Sequence, residues 1–373
     1  MRLQRRIGLM PGGGLGVARR ALLFAALAWL PVALWAWFER RFFGGTVAEP
    51  FFEHFGIHAR CLVAIPLFVL CEATARNVAR DTFAEFLERG LITEADRPRL
   101  HALLASMARL RDGAMPWLVV FAAVVAYTLA GPTLESDHEL SFATDLTPGE
   151  ALPFGAWWFL FVSRTIFIGL LCAWAWRFIL WTLTLARLSN IGLALIPTHA
   201  DRTFGLAFLA RTPVGFWPLT LGMSVVLAST WAHELVYHGV DIHTLIVPAL
   251  VFAVTVVLVM LTPLLVFAPL LARSRRQAIA AYGALVARHG RLVHGKWILK
   301  SDPGPDPLLD APELGPVADV VALYDAVHAQ RVVPATKATL GLILLPVALP
   351  LLATAAMQIP IGKMLLKVLS ALV

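Results

Sequence analysis

Long apolar runs alternate with short polar segments along this 373-residue chain. Seven runs are long enough to cross the roughly 30 Å hydrocarbon core of a bilayer as helices. They lie at about 21–38, 59–77, 115–132, 156–183, 216–237, 245–271 and 338–358. Because backbone polar groups in lipid must be paired within their own segment, each run is expected to be helical. The pattern therefore predicts an all-α polytopic membrane protein, with residues 1–373 forming a single transmembrane domain.

The polar segments between the runs predict further helices. In residues 78–113, leucine and methionine recur at i, i+3, i+4 and i+7, which is typical of an amphipathic helix. Residues 272–335 combine a basic helical pattern, a proline-rich linker and a second apolar periodicity, so a helix–linker–helix insertion is expected. Residues 361–369 gather their apolar side chains on one face, which predicts a C-terminal interfacial helix.

Composition supports a membrane protein. The chain is 59% hydrophobic and only 15% charged, which is too little charge to cover the surface of a soluble protein of this size. Most of its 31 Lys and Arg residues lie in segments that share one side, which predicts a cytoplasmic N-terminus. The basic stretch after the sixth run follows a span directly, which favours anionic lipid headgroups over nucleic acid as its partner. Homo-oligomers remain possible.

An arginine inside the fourth run is the first candidate for function. Arg164 lies about 12 Å from the predicted outer boundary, at 1.5 Å per residue. A charge at that depth is costly and normally faces a partner or a water-filled cavity. Glu234, near the outer end of the next run, is the candidate partner. The pair would form part of a solute pathway or a structural ion pair, and the sequence leaves both open.

Histidines collect on the predicted outer face, together with carboxylates such as Glu49, Glu53 and Asp241. Imidazole and carboxylate groups suit a divalent transition metal ion. The stretch HELVYH departs from the zinc-protease signature, because its histidines are five residues apart and point about 140° apart on an ideal helix. The alternative is that these residue types simply favour a membrane boundary. The candidate ligands are His54 and His58, spaced i, i+4 for chelation if helical, with His233, His238 and His243.

The segment 186–213 on the predicted cytoplasmic side contains the most motif-like residues. Thr198 and Asp201 form a capping-box pattern, so a helix is expected to begin at THAD. The segment resembles one found in functionally uncharacterised bacterial multi-pass membrane proteins, of the form P-x-H-x-D-x-x-x-G-L-x-F. That resemblance implies a bacterial inner membrane and brings no activity with it. The motif residues are Pro197, His199, Asp201, Arg202 and Gly205.

Two function classes follow from these features. Prolines in most spans and the embedded arginine favour a channel or transporter for a small solute or ion. The alternative is a membrane-embedded metal-binding enzyme or sensor with an outward-facing histidine and carboxylate site. A scaffold that recruits a partner is a third possibility. Enzymatic activity is the less favoured class. The sequence contains no glycine-rich phosphate-binding loop, so there is no sign of an ATPase.

Overall fold

The protein is all-α, as the hydrophobic pattern predicts. The structure is a computed structural model that describes residues 15–44, 49–113, 152–301 and 315–358, with a few isolated positions between 118 and 143. Within these ranges no strand forms, and six helices are long and apolar enough to span a membrane. The chain is therefore an integral membrane protein of the polytopic helical class. The predicted span at 115–132, apart from five positions, and the predicted helix at 361–369 lie outside the described residues.

The described helices are numbered in chain order. Two of them contain a short π-helical turn, and α5 is preceded by a 3₁₀ segment over Ala207–Phe216. The helices are α1 (Leu15–Phe38), α2 (Phe55–Glu88), α3 (Arg97–Asp112), α4 (Phe154–Leu188), α5 (Trp217–Tyr237), α6 (Ile242–Leu265), α7 (Ala268–Val293), α8 (Gly315–His328) and α9 (Lys337–Gln358).

The spanning helices run between two ends of a bundle. The histidine end contains the last turn of α1, the first turns of α2 and α4, and the last turn of α5. The motif end contains residues 197–208 and the last turns of α2 and α4. Helix α9 runs parallel to α5: Trp217 Nε1 donates to the carbonyl of Leu342, and Ser224 donates to that of Val347.

An apolar core lies at the motif end, beyond the spans. It joins residues from α2, α3, α4, α7 and the loop after α4, including Phe86, Leu188, Phe204 and Leu271. Helix α3 contributes the apolar face that its periodicity predicts, since Leu100, Leu103 and Met107 are buried. This core holds the motif loop in a folded layer next to the membrane-spanning part.

Helices α7 and α8 pack against each other in opposite directions. Near one end of the pair, Arg275 donates to the carbonyl of His328 at 2.9 Å. Towards the other end, Tyr324 lies beside Gly283. The apolar run predicted at 245–271 is interrupted, because α6 ends at Leu265 and α7 begins at Ala268 after a turn. The turn directs α7 away from the spans and into the pair with α8.

Candidate functional site

The end of α5 places two histidines side by side. Helix α5 stops at Tyr237, and the amides of His238 and Val240 both donate to the carbonyl of Glu234. Gly239 has a φ of +64°, the left-handed geometry that commonly terminates a helix. The ring of His238, directly after the helix, lies 5.3 Å from that of His233. Although an ideal helix would point these two side chains about 140° apart, their rings lie side by side at the end of α5.

The connection between α1 and α2 brings a carboxylate and a third histidine to the same place. The amides of Phe51 and Phe52 donate to the carbonyls of Arg41 and Phe42, which folds the segment back over the end of α1. His54 immediately precedes α2. Its ring stacks on that of His233 at 5.5 Å. Two stretches of chain about 180 residues apart thus meet at the histidine end.

Three imidazoles surround the side chain of Glu49. Glu49 Oε2 lies 3.5 Å from His233 Nε2 and 3.8 Å from His54 Nε2, and Oε1 lies 3.4 Å from His238 Nε2. Ligand atoms of Glu49, His233 and His238 all lie within 4.8 Å of one another. Zinc ligands about 2.05 Å from a tetrahedral ion are about 3.3 Å apart, so the two shorter distances nearly match the edge of such a site.

A hydrogen bond on the side of the ring away from Glu49 fixes the orientation of His233. Its Nδ1 donates to the carbonyl of Glu53 at 2.9 Å, which leaves the lone pair on Nε2 directed towards Glu49. Only 8% of His233 and 4% of His54 is exposed. In the part of the chain that the structure describes, His233 Nε2 is buried and makes no hydrogen bond. A cation between this nitrogen and the Glu49 carboxylate would satisfy both.

Two of the predicted ligands do not join this cluster. His58 uses both ring nitrogens elsewhere, since Nδ1 accepts from Trp29 Nε1 at 2.8 Å and Nε2 donates to the carbonyl of Phe51 at 3.1 Å. The predicted chelating pair of His54 and His58 does not form, because both ring nitrogens of His58 are engaged while His54, the N-cap residue of α2, lies beside Glu49. His243 is exposed in the first turn of α6. From the sequence, Glu49 was only one of several carboxylates on the predicted outer face. In the structure it lies at the centre of the cluster.

Two buried arginines lie inward of this cluster. Arg164 is 3% exposed and Arg60 is 8% exposed, and each guanidinium lies within 6 Å of the Phe159 ring. Arg60 lies inside a π-helical turn of α2, and Arg164 immediately follows one in α4. Such turns are frequent at functional sites. The pairing of Arg164 with Glu234 stays a prediction. Arg60 was missed because it lies at the edge of a predicted span.

At the motif end, the helix expected at THAD does not form. Residues 197–206 are a succession of turns. Asp201 Oδ1 accepts the amides of Thr203 and Gly205 at 2.8 and 3.1 Å, and Oδ2 accepts that of Ala207 at 3.0 Å. Burial alone would raise the pKa of this carboxyl, but the three backbone hydrogen bonds lower it below its ordinary value. Asp201 therefore organises the loop as an anion.

The motif loop is held in a strained conformation by a distant residue. Arg202 and Phe204 have φ near +58°, which is unusual for residues other than glycine, and Gly205 has φ +92°. Gln330 accepts the amide of Phe204 at 3.1 Å and donates to the carbonyl of His199 at 3.0 Å. His199 Nδ1 lies 2.9 Å from Asp201 Oδ1. Pro197 is half-buried at the start of the loop.

No known protein family, curated protein or solved structure matches this chain. The resemblance of the motif segment to uncharacterised bacterial membrane proteins therefore stays a prediction. Function is argued below from the geometry of the described residues.

Proposed function

We propose that this integral membrane protein binds a divalent transition metal ion at its histidine end. The ligands are Glu49, His233 and His238, and His54 lies beside Glu49 as a fourth donor. One observation supports this proposal above the others. The buried Nε2 of His233 makes no hydrogen bond within the described chain, and it lies 3.5 Å from a carboxylate oxygen.

The donor set indicates the class of metal. Magnesium and calcium prefer sites built from oxygen atoms. Two or three imidazole nitrogens with one carboxylate suit zinc, copper, nickel or iron. Glu49 and His238 are more exposed than His233 and His54, which gives an ion access from solvent. The protein would hold such an ion as a sensor or as a membrane-embedded metalloenzyme.

Protons are the competing occupant of the same cluster. If the imidazoles were protonated, Glu49 would form ion pairs with them and no metal would be needed. The two occupants differ in what they predict. A metal site retains stoichiometric metal through purification, whereas an imidazolium–carboxylate cluster purifies without metal and binds none at micromolar concentrations.

The expected channel or transporter activity for a small solute or ion stays a second candidate. Its support is the pair of buried arginines beside two π-helical turns. The ring of Phe142 lies 5.4 Å from that of His54 and 6.3 Å from that of Phe159, so aromatic rings separate the metal ligands from Arg60 and Arg164. We therefore favour a protein that holds metal over one that conducts it.

We also propose that the N-terminus is cytoplasmic in a bacterial inner membrane, so that the metal ligands face outwards. Arginines concentrate at the motif end, for example at Arg76 and Arg80 on α2 and at Arg89 directly after it. Positively charged residues are retained on the cytoplasmic side. A reporter enzyme that works only outside the cytosol should be active when it is fused at the connection between α5 and α6. A reporter that works only in the cytosol should be inactive at the same position.

Elemental analysis of protein purified without chelators tests the metal proposal. We expect about one zinc-class ion per chain. His233→Ala and His238→Ala should each weaken metal affinity by more than about 100-fold, the upper limit for losing a group that merely orients a ligand. His243→Ala is the matched control, because this histidine lies at the same end outside the cluster, and it should retain metal. Metal-free wild-type protein that binds no added zinc would refute the proposal.

A further inference from the structure

A groove opens at the motif end of the spans. Its volume is about 490 Å³, and its walls come from α2, α3, α4 and the 3₁₀ segment before α5. The walls are largely apolar and aromatic, with Phe83, Leu104, Trp174 and Trp181 among them. The floor is closed by Gly215, where an added Cβ would lie 3.3 Å from the Cα of Ala75.

The charges of this groove are unbalanced. It is lined by Arg76, Arg111 and Arg177 but by a single carboxylate, Glu72. Glu72 is already bound twice, by Arg76 at 2.7 Å and by Arg20, at the start of α1, at 3.0 Å. One carboxylate therefore cannot neutralise the guanidinium groups around it.

Arg177 is a lining arginine that forms no ion pair with Glu72. It belongs to the spanning helix α4, and its guanidinium lies over the ring of Trp174 at 4.8 Å. Among the described residues, no carboxylate lies within 4 Å of it. A cation–π contact uses the face of a guanidinium and leaves N–H donors at its edge. Within the described ranges, Arg111 pairs with Asp112, which is exposed, and such pairs contribute little.

We propose that this groove binds an anionic phospholipid from the adjacent leaflet. Arg177 and Arg111 would bind the headgroup phosphate, and the apolar walls would contact an acyl chain. Two features favour a lipid over a soluble anion. The groove lies where α1, α2 and α4 leave the membrane-spanning part, and its apolar walls offer nothing to a free phosphate. Guanidinium groups are well suited to phosphate because they donate two parallel hydrogen bonds.

The test uses the full chain in nanodiscs or mild detergent. Native mass spectrometry measures retention of phosphatidylglycerol and of phosphatidylcholine, each added at the same concentration. We expect preferential retention of phosphatidylglycerol. Arg177→Gln should lower its affinity by about tenfold or more, because a charge-assisted contact is lost. Arg80→Gln is the matched control: Arg80 is an exposed arginine of α2 outside the groove, and its removal should leave retention unchanged.

A second variant tests the apolar walls independently of charge. Ala108→Trp, on the α3 side of the groove, should reduce lipid retention by filling the space while every arginine remains. It also keeps the proposal testable if Arg177→Gln fails to fold. Equal retention of the two lipids would overturn the proposal. So would unchanged phosphatidylglycerol retention in both Arg177→Gln and Ala108→Trp. Displacement of bound phosphatidylglycerol by inorganic phosphate as readily as by the lipid itself would also overturn it. None of these outcomes depends on metal at the other end.

Discussion

Replacement of Asp201 should open the motif loop. Its carboxylate accepts the amides of Thr203, Gly205 and Ala207, and Thr203 and Gly205 are buried. A buried donor left without an acceptor costs about 1–3 kcal/mol. Three such losses, reduced because Ala207 is partly solvated and the strained backbone relaxes, give on the order of 3 kcal/mol for Asp201→Ala. That free energy corresponds to a roughly 100-fold larger population of the open loop.

Limited proteolysis measures this population directly. Trypsin cleaves after Arg202, and the cleavage rate follows the open population when opening is fast relative to cleavage. Asp201→Ala should therefore be cut at this bond about 100-fold faster than wild type. Asp201→Asn keeps one acceptor oxygen and turns an amide donor towards Ala207, so it should be cut about tenfold faster. Asp325→Asn, an exposed carboxylate nearby, should change the rate less than about threefold.

The same carboxylate predicts a dependence on pH. The folded-state pKa of Asp201 is lowered, so its contribution is fully present above its ordinary value of 3.8 and is lost as pH falls through the lower folded value. Thermal stability should therefore contain a loss below about pH 4 that is absent in Asp201→Asn. If cleavage after Arg202 is equally slow in wild type and Asp201→Ala, the carboxylate does not hold the loop, and the explanation of its strained backbone is refuted.

Two further predictions concern packing and the distant clamp on the loop. Gly222→Val should destabilise the α2–α5 contact by about 1–3 kcal/mol, because even its Cβ would lie 2.8 Å from Phe68. Gly341→Ala, with open space around it in α9, should not lower the thermal unfolding temperature in detergent. Gln330→Ala removes both of its hydrogen bonds to the loop and should speed tryptic cleavage of the loop about tenfold, and an unchanged rate would exclude this clamp.

The six spans that the structure describes could be predicted from sequence because lipid imposes a simple rule of length and apolarity. Their full extents could not. Helix α2 continues to Glu88, well past the apolar run predicted to end at residue 77, and α4 continues to Leu188. An apolar run shows where lipid ends, whereas a helix continues in water as long as its neighbours pack against it. Here the core at the motif end supplies those neighbours.

The candidate site was only partly visible in the sequence. Three of its histidines were among the predicted ligands, but their convergence depends on where two helices begin and end. His238 directly follows the end of α5 and His54 directly precedes α2, so the course of two connecting segments decides where these rings lie, and His58 is unavailable because Trp29 and the carbonyl of Phe51 occupy its nitrogens. One-dimensional spacing assumes an ideal helix throughout. The helix expected to begin at THAD does not form because of a distant contact. Gln330, about 130 residues away along the chain, stabilises turns in this loop, and the local pattern does not show that contact.

The position of Glu49 between two distant parts of the chain has a consequence for assembly in the membrane. An ion held by Glu49 and the end of α5 would join the connection between α1 and α2 to α5, and it could bind only after these helices have met. Its binding free energy would then add to the free energy of unfolding, by about 2.7 kcal/mol at an ion concentration 100 times the dissociation constant. Newly inserted chains would then populate the folded state more fully where the ion is plentiful.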